Sequence, residues 1–330
     1  MTTYILCDLN NIFYRCKHVI AKNTPTDLKS GMAIHIILNS IKKIFNKFNS
    51  GDHTHIVACV DGANSWRHEY YKNYKARRKL LKLQLSESDK EEDQLFFNAF
   101  QSFIKFLKER TNVTVLDSKQ NIESDDWIAR WIYLHKNDKH IIISGDTDFI
   151  QLINENVSIY DGVRGRLIDS TGIYDDNGKP VINKKTGKPE NPPNPELALF
   201  LKICRGDSTD SIFPAAKSVR ESKLMAAFED RKQKSFDWIN LMQQTWKDPD
   251  GITVRIQDKY LENKRLIDLN EQPQEIKDLM DDAIIEATQK PKKSQIGIWF
   301  LKFCDEHDLP SISSYPKPFI TFLSETYVKD

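Results

Sequence analysis

An α/β domain built on a mostly parallel sheet, followed by a helical region, is the architecture this 330-residue sequence predicts. Three observations carry that reading. The segments YILCD, HIVACVD and HIIISGD each run through apolar residues into an acid, as strands buried on both faces do. Apolar residues at helical spacing lie between them, first Ile34, Ile37, Leu38, Ile41 and Phe45, then Phe96, Phe100, Phe103 and Leu107. Beyond Pro195 the chain reads as helices over about 195–205, 216–229, 235–246, 258–269, 273–288 and 294–307, with only weak strand signals.

The three strands end at Asp8, Asp61 and Asp146. In parallel sheets ligands bind outside the carboxyl ends of the strands, so these three acids are expected at one edge. The last strand continues as ISGDTDFIQL, which places Asp146 and Asp148 two residues apart. Like charges so close are unfavourable unless something positive stands between them. A fourth cluster, NIESDDWIARW, holds Glu123, Asp125 and Asp126 before the apolar face of Trp127, Ile128, Trp131 and Ile132. Taken alone, these acids suit the start of a helix, where the macrodipole favours negative charge. Asp207 and Asp210, in RGDSTDSI, could likewise be turn residues. The count and placement decide the matter, because so many carboxylates cannot ionise together without a cation. Oxygen donors suit Mg²⁺, with Mn²⁺ as a substitute, and two such ions are the usual arrangement in phosphodiester chemistry.

Composition narrows the class. Hydrophobic residues make up 39% and charged residues 29%, and the net charge is +1. No apolar run is long enough to span a bilayer, and the N-terminus has no secretory pattern. Five scattered cysteines, Cys7, Cys16, Cys59, Cys204 and Cys304, suit buried thiols in a reducing compartment, not disulfides or zinc. A cytoplasmic location is the expectation. The small net charge hides opposed blocks. WRHEYYKNYKARRKLLK carries Arg67, Lys72, Lys75, Arg77, Arg78, Lys79 and Lys82 against Glu69 alone, with Tyr70, Tyr71 and Tyr74 interleaved. Cations and rings together suit a nucleic-acid strand. The bland alternative is a solvated basic helix balanced by the acidic ESDKEED that follows; its place after Asp61 favours the substrate clamp. From Ser170 to Pro195, turn signals predict a loop or hairpin at a domain edge.

These motifs together resemble the 5′-nuclease superfamily of flap endonucleases and polymerase 5′-nuclease domains, and within it the RNase H branch of T-even phages. WRHEYYKNYKARR is similar to the family's aromatic-Arg-spacer-Tyr-Lys-Arg pattern, IESDDWIA to its Glu-x-Asp-Asp-x-x-Ala helix start, SGDTDFIQL to its Gly-Asp-x-Asp pattern and GDSTDSI to its Gly-Asp-x-x-Asp. They lie in the family's order, and YLENKRLIDLNEQPQEI extends the likeness towards the C-terminus. The resemblance implies a PIN-like, Rossmann-like nuclease domain over 1–195 with an arch over about 65–90, and a helical duplex-binding domain over 196–330. It implies a first metal among Asp8, Asp61, Asp125 or Asp126, and Asp146. A second metal would lie among Asp148, Asp207 and Asp210, with Glu123 in an outer shell. Lys75 and Arg78 would face the scissile phosphate, Arg67 and Arg77 would hold substrate, and Tyr74 would stack on a displaced base. The nucleophile would be water.

After Gly-Asp-x-x-Asp the chain reads SIFPAAKSVRESKL and lacks the family's glycine-rich turn. Lys217, Arg220 and Lys223 are then the expected phosphate contacts. The implied function is 5′→3′ cleavage at 5′ ends, flaps or RNA primers on DNA during viral lagging-strand replication. The enzyme would act as a monomer on DNA and RNA–DNA hybrids, with a single-strand-binding protein and a sliding clamp as candidate partners. A retired DNA-binding scaffold would have lost some of the acids, and none is missing. A simple PIN-type ribonuclease would lack the basic arch and the Asp207–Asp210 pair. An aspartyl phosphatase would show Asp-x-Asp at the first strand, where this chain has Asp8-Leu9-Asn10.

Overall fold

The computed structural model describes residues 1–19, 26–49, 53–117, 121–248 and 251–328. Its centre is a seven-stranded sheet of β1 (Thr3–Asp8), β2 (Thr54–Cys59), β3 (Thr114–Leu116), β4 (Lys139–Ile143), β5 (Val157–Asp161), β6 (Arg166–Ile168) and β7 (Ile173–Asp175). The spatial order is β3-β2-β1-β4-β5-β6-β7. Strands β1 to β5 are mutually parallel, and β6 and β7 add antiparallel at one edge. Every residue of β1 and β2 is buried, which is why these segments show no polar alternation. The sequence reading missed β3 and β5. The first is three residues long, and the second, VSIYD, breaks its apolar run with a half-buried serine.

Helices cover both faces. On one, Phe13, Ile34, Ile37 and Phe45 meet Phe96, Phe100 and Phe103 of the Glu87–Arg110 helix. On the other, Trp127 and Trp131 of the Ser124–Leu134 helix pack with Phe149, Met280 and Ile284. The chain moves from β1 outward through β2 and β3, then returns to β4 on the far side of β1. That reversal opens a crevice between β1 and β4 at the carboxyl ends, where such sheets bind ligands.

The expected boundary at 195 does not divide the cores. Helices Pro195–Arg205, Glu221–Asp230, Phe236–Gln243 and Ile256–Ile267 share a cluster that includes Phe200, Leu224, Phe228, Leu241 and Ile256. The chain then comes back to the sheet. Met280 and Ile284 pack beside Trp127, while Phe300, Phe303 and Phe322 join Phe45 and Phe103 on the opposite face. Amphipathic spacing shows that a helix has a buried face and not which core receives it. Within 235–246 the helix stops at Gln243, and Thr245–Lys247 pairs antiparallel with Thr253–Arg255. Two short helices, Pro310–Ser313 and Lys317–Ser324, also escaped the sequence reading. The Ser170–Pro195 segment contains β7 and two isolated bridges, Tyr174 to Pro180 and Ile182 to Pro189, so its hairpin character is real.

All five cysteines are buried free thiols. Among the described residues no helix is long and apolar enough to cross a membrane.

Candidate active site

The acid cluster is built from strand ends and held by small hydroxyl and amide groups. Asp8 closes β1 and is 3% exposed. The Ser124 and Ser144 hydroxyls donate to its two oxygens at 2.9 and 3.0 Å. The Ser124 backbone N–H donates to Asp61 at 2.8 Å, so one serine ties the ends of β1 and β2 to the start of the Ser124–Leu134 helix. Asn10 accepts from the Asp61 N–H at 2.9 Å, and Asn11 accepts from the Gly145 N–H at 3.2 Å. Asp146 caps the Thr147–Leu152 turn by accepting from the Asp148 N–H at 2.9 Å.

Negative charge accumulates here. Burial first, then the charge of Asp61, pushes the Asp8 pKa up to about 7, against the hydrogen bonds from Ser124 and Ser144. Burial and the charges of Asp8 and Asp146 hold Asp125 well above the usual carboxylate range. Oxygen donors in this state fit a hard divalent cation, which would remove the repulsion. Among the described residues, however, no three acid, histidine or cysteine side chains are placed closely enough to hold a metal ion together. The expected ligand groups are neighbours at one edge and not a finished coordination sphere.

Asp148 and Asp207 are neutralised differently. Lys202, from the Pro195–Arg205 helix, is hydrogen-bonded to Asp148 and lies 2.9 Å from Asp207. Burial raises the Asp207 pKa, but Lys202 outweighs it and the net shift is downward. Asp146 and Asp148 are therefore tolerated two residues apart because Asp148 turns away to an ammonium group. Gly206 makes this corner possible. Its φ is +71°, and a Cβ there would lie 2.4 Å from the Ile212 carbonyl oxygen.

A second network fixes the arch. Arg67 sends Nη1 to Glu123 at 2.8 Å and to Asp126 at 2.9 Å, Nη2 to Asp126 at 2.9 Å, and Nε to the Leu266 carbonyl at 2.8 Å. Trp66 Nε1 adds a bond to Asp126 at 3.0 Å, and the Tyr74 hydroxyl donates to Glu123 at 3.0 Å. The Lys75 ammonium is hydrogen-bonded to Glu123. Burial raises the Glu123 pKa, yet Arg67 and Lys75 together hold it down to about 2. Lys75 adopts φ +53° at the start of the Ala76–Leu83 helix, and its backbone N–H donates to the Asp210 carbonyl at 2.8 Å. The Arg77 N–H donates to Ser211 Oγ at 3.1 Å, and Arg78 lies 2.7 Å from Asp210. The arch base and the Asp210 turn are thus joined as one piece. Beyond it, Ala76–Leu83 buries no residue.

Residues 3–184, more than half of the chain, match the family model described as 5′-3′ exonuclease, N-terminal resolvase-like domain. The chain belongs to this family. Ribonuclease H of Enterobacteria phage T4 is 26% identical over 279 residues, 82% of each chain. A flap endonuclease Xni from Pseudoalteromonas translucida is 31% identical over 122 residues, covering 36% of this chain and 42% of that relative. The chain therefore spans less than half the length of that relative. Two solved structures share the fold: a T5 5′-exonuclease with bound zinc, and a phage T5 flap endonuclease in a pseudo-enzyme–product complex with DNA and metal ions. The first has a TM-score of 0.60 at 19% identity and covers 87% of this chain and 99% of its own. The second has 0.58 at 18%, with 88% and 100% covered. At that identity they speak for the fold alone. The mostly parallel sheet with flanking helices is the PIN-like architecture expected of the exonuclease family.

Within this 5′-3′ exonuclease domain, three expected roles change. Arg67 is 2% exposed and paired with two carboxylates, so in this structure it is a strut of the network. Tyr74 is 4% exposed with its hydroxyl on Glu123, so it has no face free to stack on a base. Asp126 is fully buried against Arg67 and Trp66, which leaves Asp125 as the member of that pair at the acid cluster. Glu123 is bonded to Ser65, Arg67, Tyr74 and Lys75. Lys75 and Arg78 stand beside the acids, and Arg77, Lys217 and Arg220 are exposed. Sequence reasoning missed Lys202, Ser124, Ser144, Asn10 and Asn11. The serines and asparagines do adjoin the acids in the sequence, which is a usable signal. Lys202 had none, being one lysine on an amphipathic helix.

Proposed function

We propose that this chain is a divalent-metal-dependent 5′→3′ nuclease that hydrolyses phosphodiester bonds at 5′ ends or flaps. Its substrates would be flapped or nicked DNA duplexes and RNA primers annealed to DNA, removed during viral lagging-strand replication. The observation that carries the reading is the gathering of Asp8, Asp61, Asp125 and Asp146 at the sheet's switch point, with Lys75 of the arch base near Asp125, in a chain of this family. A DNA-bound flap endonuclease and a zinc-bound exonuclease of the same fold support nucleic acid and divalent metal as its ligands.

In this reading two Mg²⁺ ions, or Mn²⁺ in their place, would supply Lewis acidity for a water nucleophile and positive charge for the phosphate when bound. Asp8, Asp61, Asp125 and Asp146 would hold the first. Asp148, Asp207 and Asp210 would hold the second, with Lys202 giving way to it. Ser124 and Ser144 keep the Asp8 oxygens oriented, and Glu123 holds Lys75 ready. Lys75 and Arg78 then turn from their carboxylate partners to the non-bridging oxygens, where positive charge stabilises the charge that develops in the transition state. Arg77 adds charge along the arch, and Lys217 and Arg220 contact the duplex. The buried thiols suit action in the host cytoplasm.

The test is cleavage of a 5′-labelled flap and of an RNA–DNA hybrid, with Mg²⁺ and with chelator. Short 5′ products only with Mg²⁺ are expected. Tight binding without cleavage in either Mg²⁺ or Mn²⁺ would replace this reading with that of a DNA-binding scaffold.

A further inference from the structure

Among the described residues the helical region contains one strand pair. In it Thr245 lies opposite Arg255, Trp246 opposite Val254 and Lys247 opposite Thr253. Side chains alternate across such a ribbon, so Thr245, Lys247, Thr253 and Arg255 share one face. All four are exposed, while Trp246 and Val254 on the other face are half-buried. The inward face anchors the ribbon. The Trp246 indole N–H donates to the Ala215 carbonyl at 2.8 Å, and the Ile256 N–H donates to the Gln244 carbonyl at 2.9 Å. Lys217 lies over the Trp246 ring, 5.3 Å from its centre, and brings a third cation beside the ribbon.

This outward face has a definite chemistry. It offers two cations and two hydroxyls and no apolar side chain. Cations and hydroxyls of this kind make most of their nucleic-acid contacts to phosphate oxygens. Lys247 and Arg255 are diagonal neighbours across the ribbon, a relation that places residues about 7–8 Å apart, comparable with the step between neighbouring phosphates. No acid lies on the face itself. Asp248 is engaged at the turn, where it accepts from the Ile252 N–H at 2.8 Å, and Glu221 and Asp258 sit on adjoining helix starts. Among the described residues neither Lys247 nor Arg255 is ion-paired.

The ribbon is also tied to the acid cluster. The Asp207 and Ile212 backbones bond to each other, and the Ala216 N–H donates to the Cys204 carbonyl at 2.9 Å. The segment that holds Asp207 and Asp210 at one end therefore carries the support of the ribbon, Ala215, at the other. We propose that this ribbon is a phosphate-backbone contact for the double-stranded part of the substrate, engaging two phosphates through Lys247 and Arg255. It supplies a grip where the chain lacks a glycine-rich turn. The proposal rests on the nuclease reading above.

The experiment measures binding of the full chain to a fluorescent duplex bearing a 5′ single-stranded tail, in chelator, across a salt series. Wild type is compared with Lys247→Ala/Arg255→Ala, and with Lys247→Gln/Arg255→Gln to keep the side-chain bulk. Both doubles should flatten the log K against log salt slope by about 1.8, since each phosphate no longer neutralised by the protein removes about 0.9. In Mg²⁺, KM for the tailed duplex should rise at unchanged kcat, with single-strand binding unaltered. An unchanged slope and KM would overturn the proposal, and so would equal weakening on duplex and single strand. A wild-type protein that neither binds nor cuts the tailed duplex would instead overturn the nuclease reading.

Discussion

Arg67 faces Asp126 as a buried fork, with Nη1 and Nη2 each 2.9 Å from a different carboxylate oxygen. The same guanidinium reaches Glu123 and the Leu266 carbonyl, so one side chain joins the arch, the Ser124–Leu134 helix and the helical region. Arg67→Ala would strand Asp126 without its charge partner. The expected cost is about 3–5 kcal/mol, read by urea unfolding. Arg67→Lys should recover only part of it, because an ammonium cannot form the fork. A loss below about 1 kcal/mol would show that the network does not hold the arch.

Neighbouring aspartates should behave oppositely. Asp125 is crowded by like charges, so Asp125→Asn should raise the melting temperature in chelator while removing cleavage in Mg²⁺. Asp126→Asn should instead lower stability by about 3 kcal/mol, since it weakens a buried ion pair. Thermal unfolding of the two variants side by side decides this. Equal effects would mean that the two carboxylates do not divide their roles in this way.

Lys202 occupies the position between Asp148 and Asp207. A cation binding those carboxylates must displace it. Lys202→Met is expected to tighten divalent binding there by roughly tenfold, about 1.4 kcal/mol, in calorimetric titration. Weaker or unchanged binding would show that the ammonium does not compete with the metal.

The opposite end of the sheet predicts a pH dependence. Burial first, then His53, lowers the His55 pKa to about 3, and burial with His135 does the same for His140. Both imidazoles take up protons on unfolding, with a pKa of about 6.5 in the open chain. Their contribution is complete above about pH 6.5 and is lost as the pH falls from there towards 3. While both titrate, the slope is about 2.7 kcal/mol per pH unit. The His140 ring is buried and stacks on Tyr4, and among the described residues neither of its nitrogens has a partner at good hydrogen-bond geometry. His140→Phe should therefore halve the slope between pH 6 and 4, as measured by denaturant midpoints. An unchanged slope would place the acid sensitivity elsewhere.

The sequence alone determined the strands β1, β2 and β4, the acids at their ends and the cationic arch. Each is written locally, in an unbroken apolar run or a block of charge. It also carried the family's motifs in order, from the arch to the Gly-Asp-x-x-Asp turn. What it could not show is which member of a pair faces which way. Asp125 and Asp126 are adjacent, yet one helix position turns the first to the acid cluster and the second to Arg67. Arg67 and Tyr74 sit in a basic, aromatic stretch like substrate-binding residues, but burial makes them struts. Lys202 and the return of residues 274–324 to the sheet were set by tertiary structure alone. Charge pairing and core membership depend on which distant segments come together, and that distance is not recorded in local spacing.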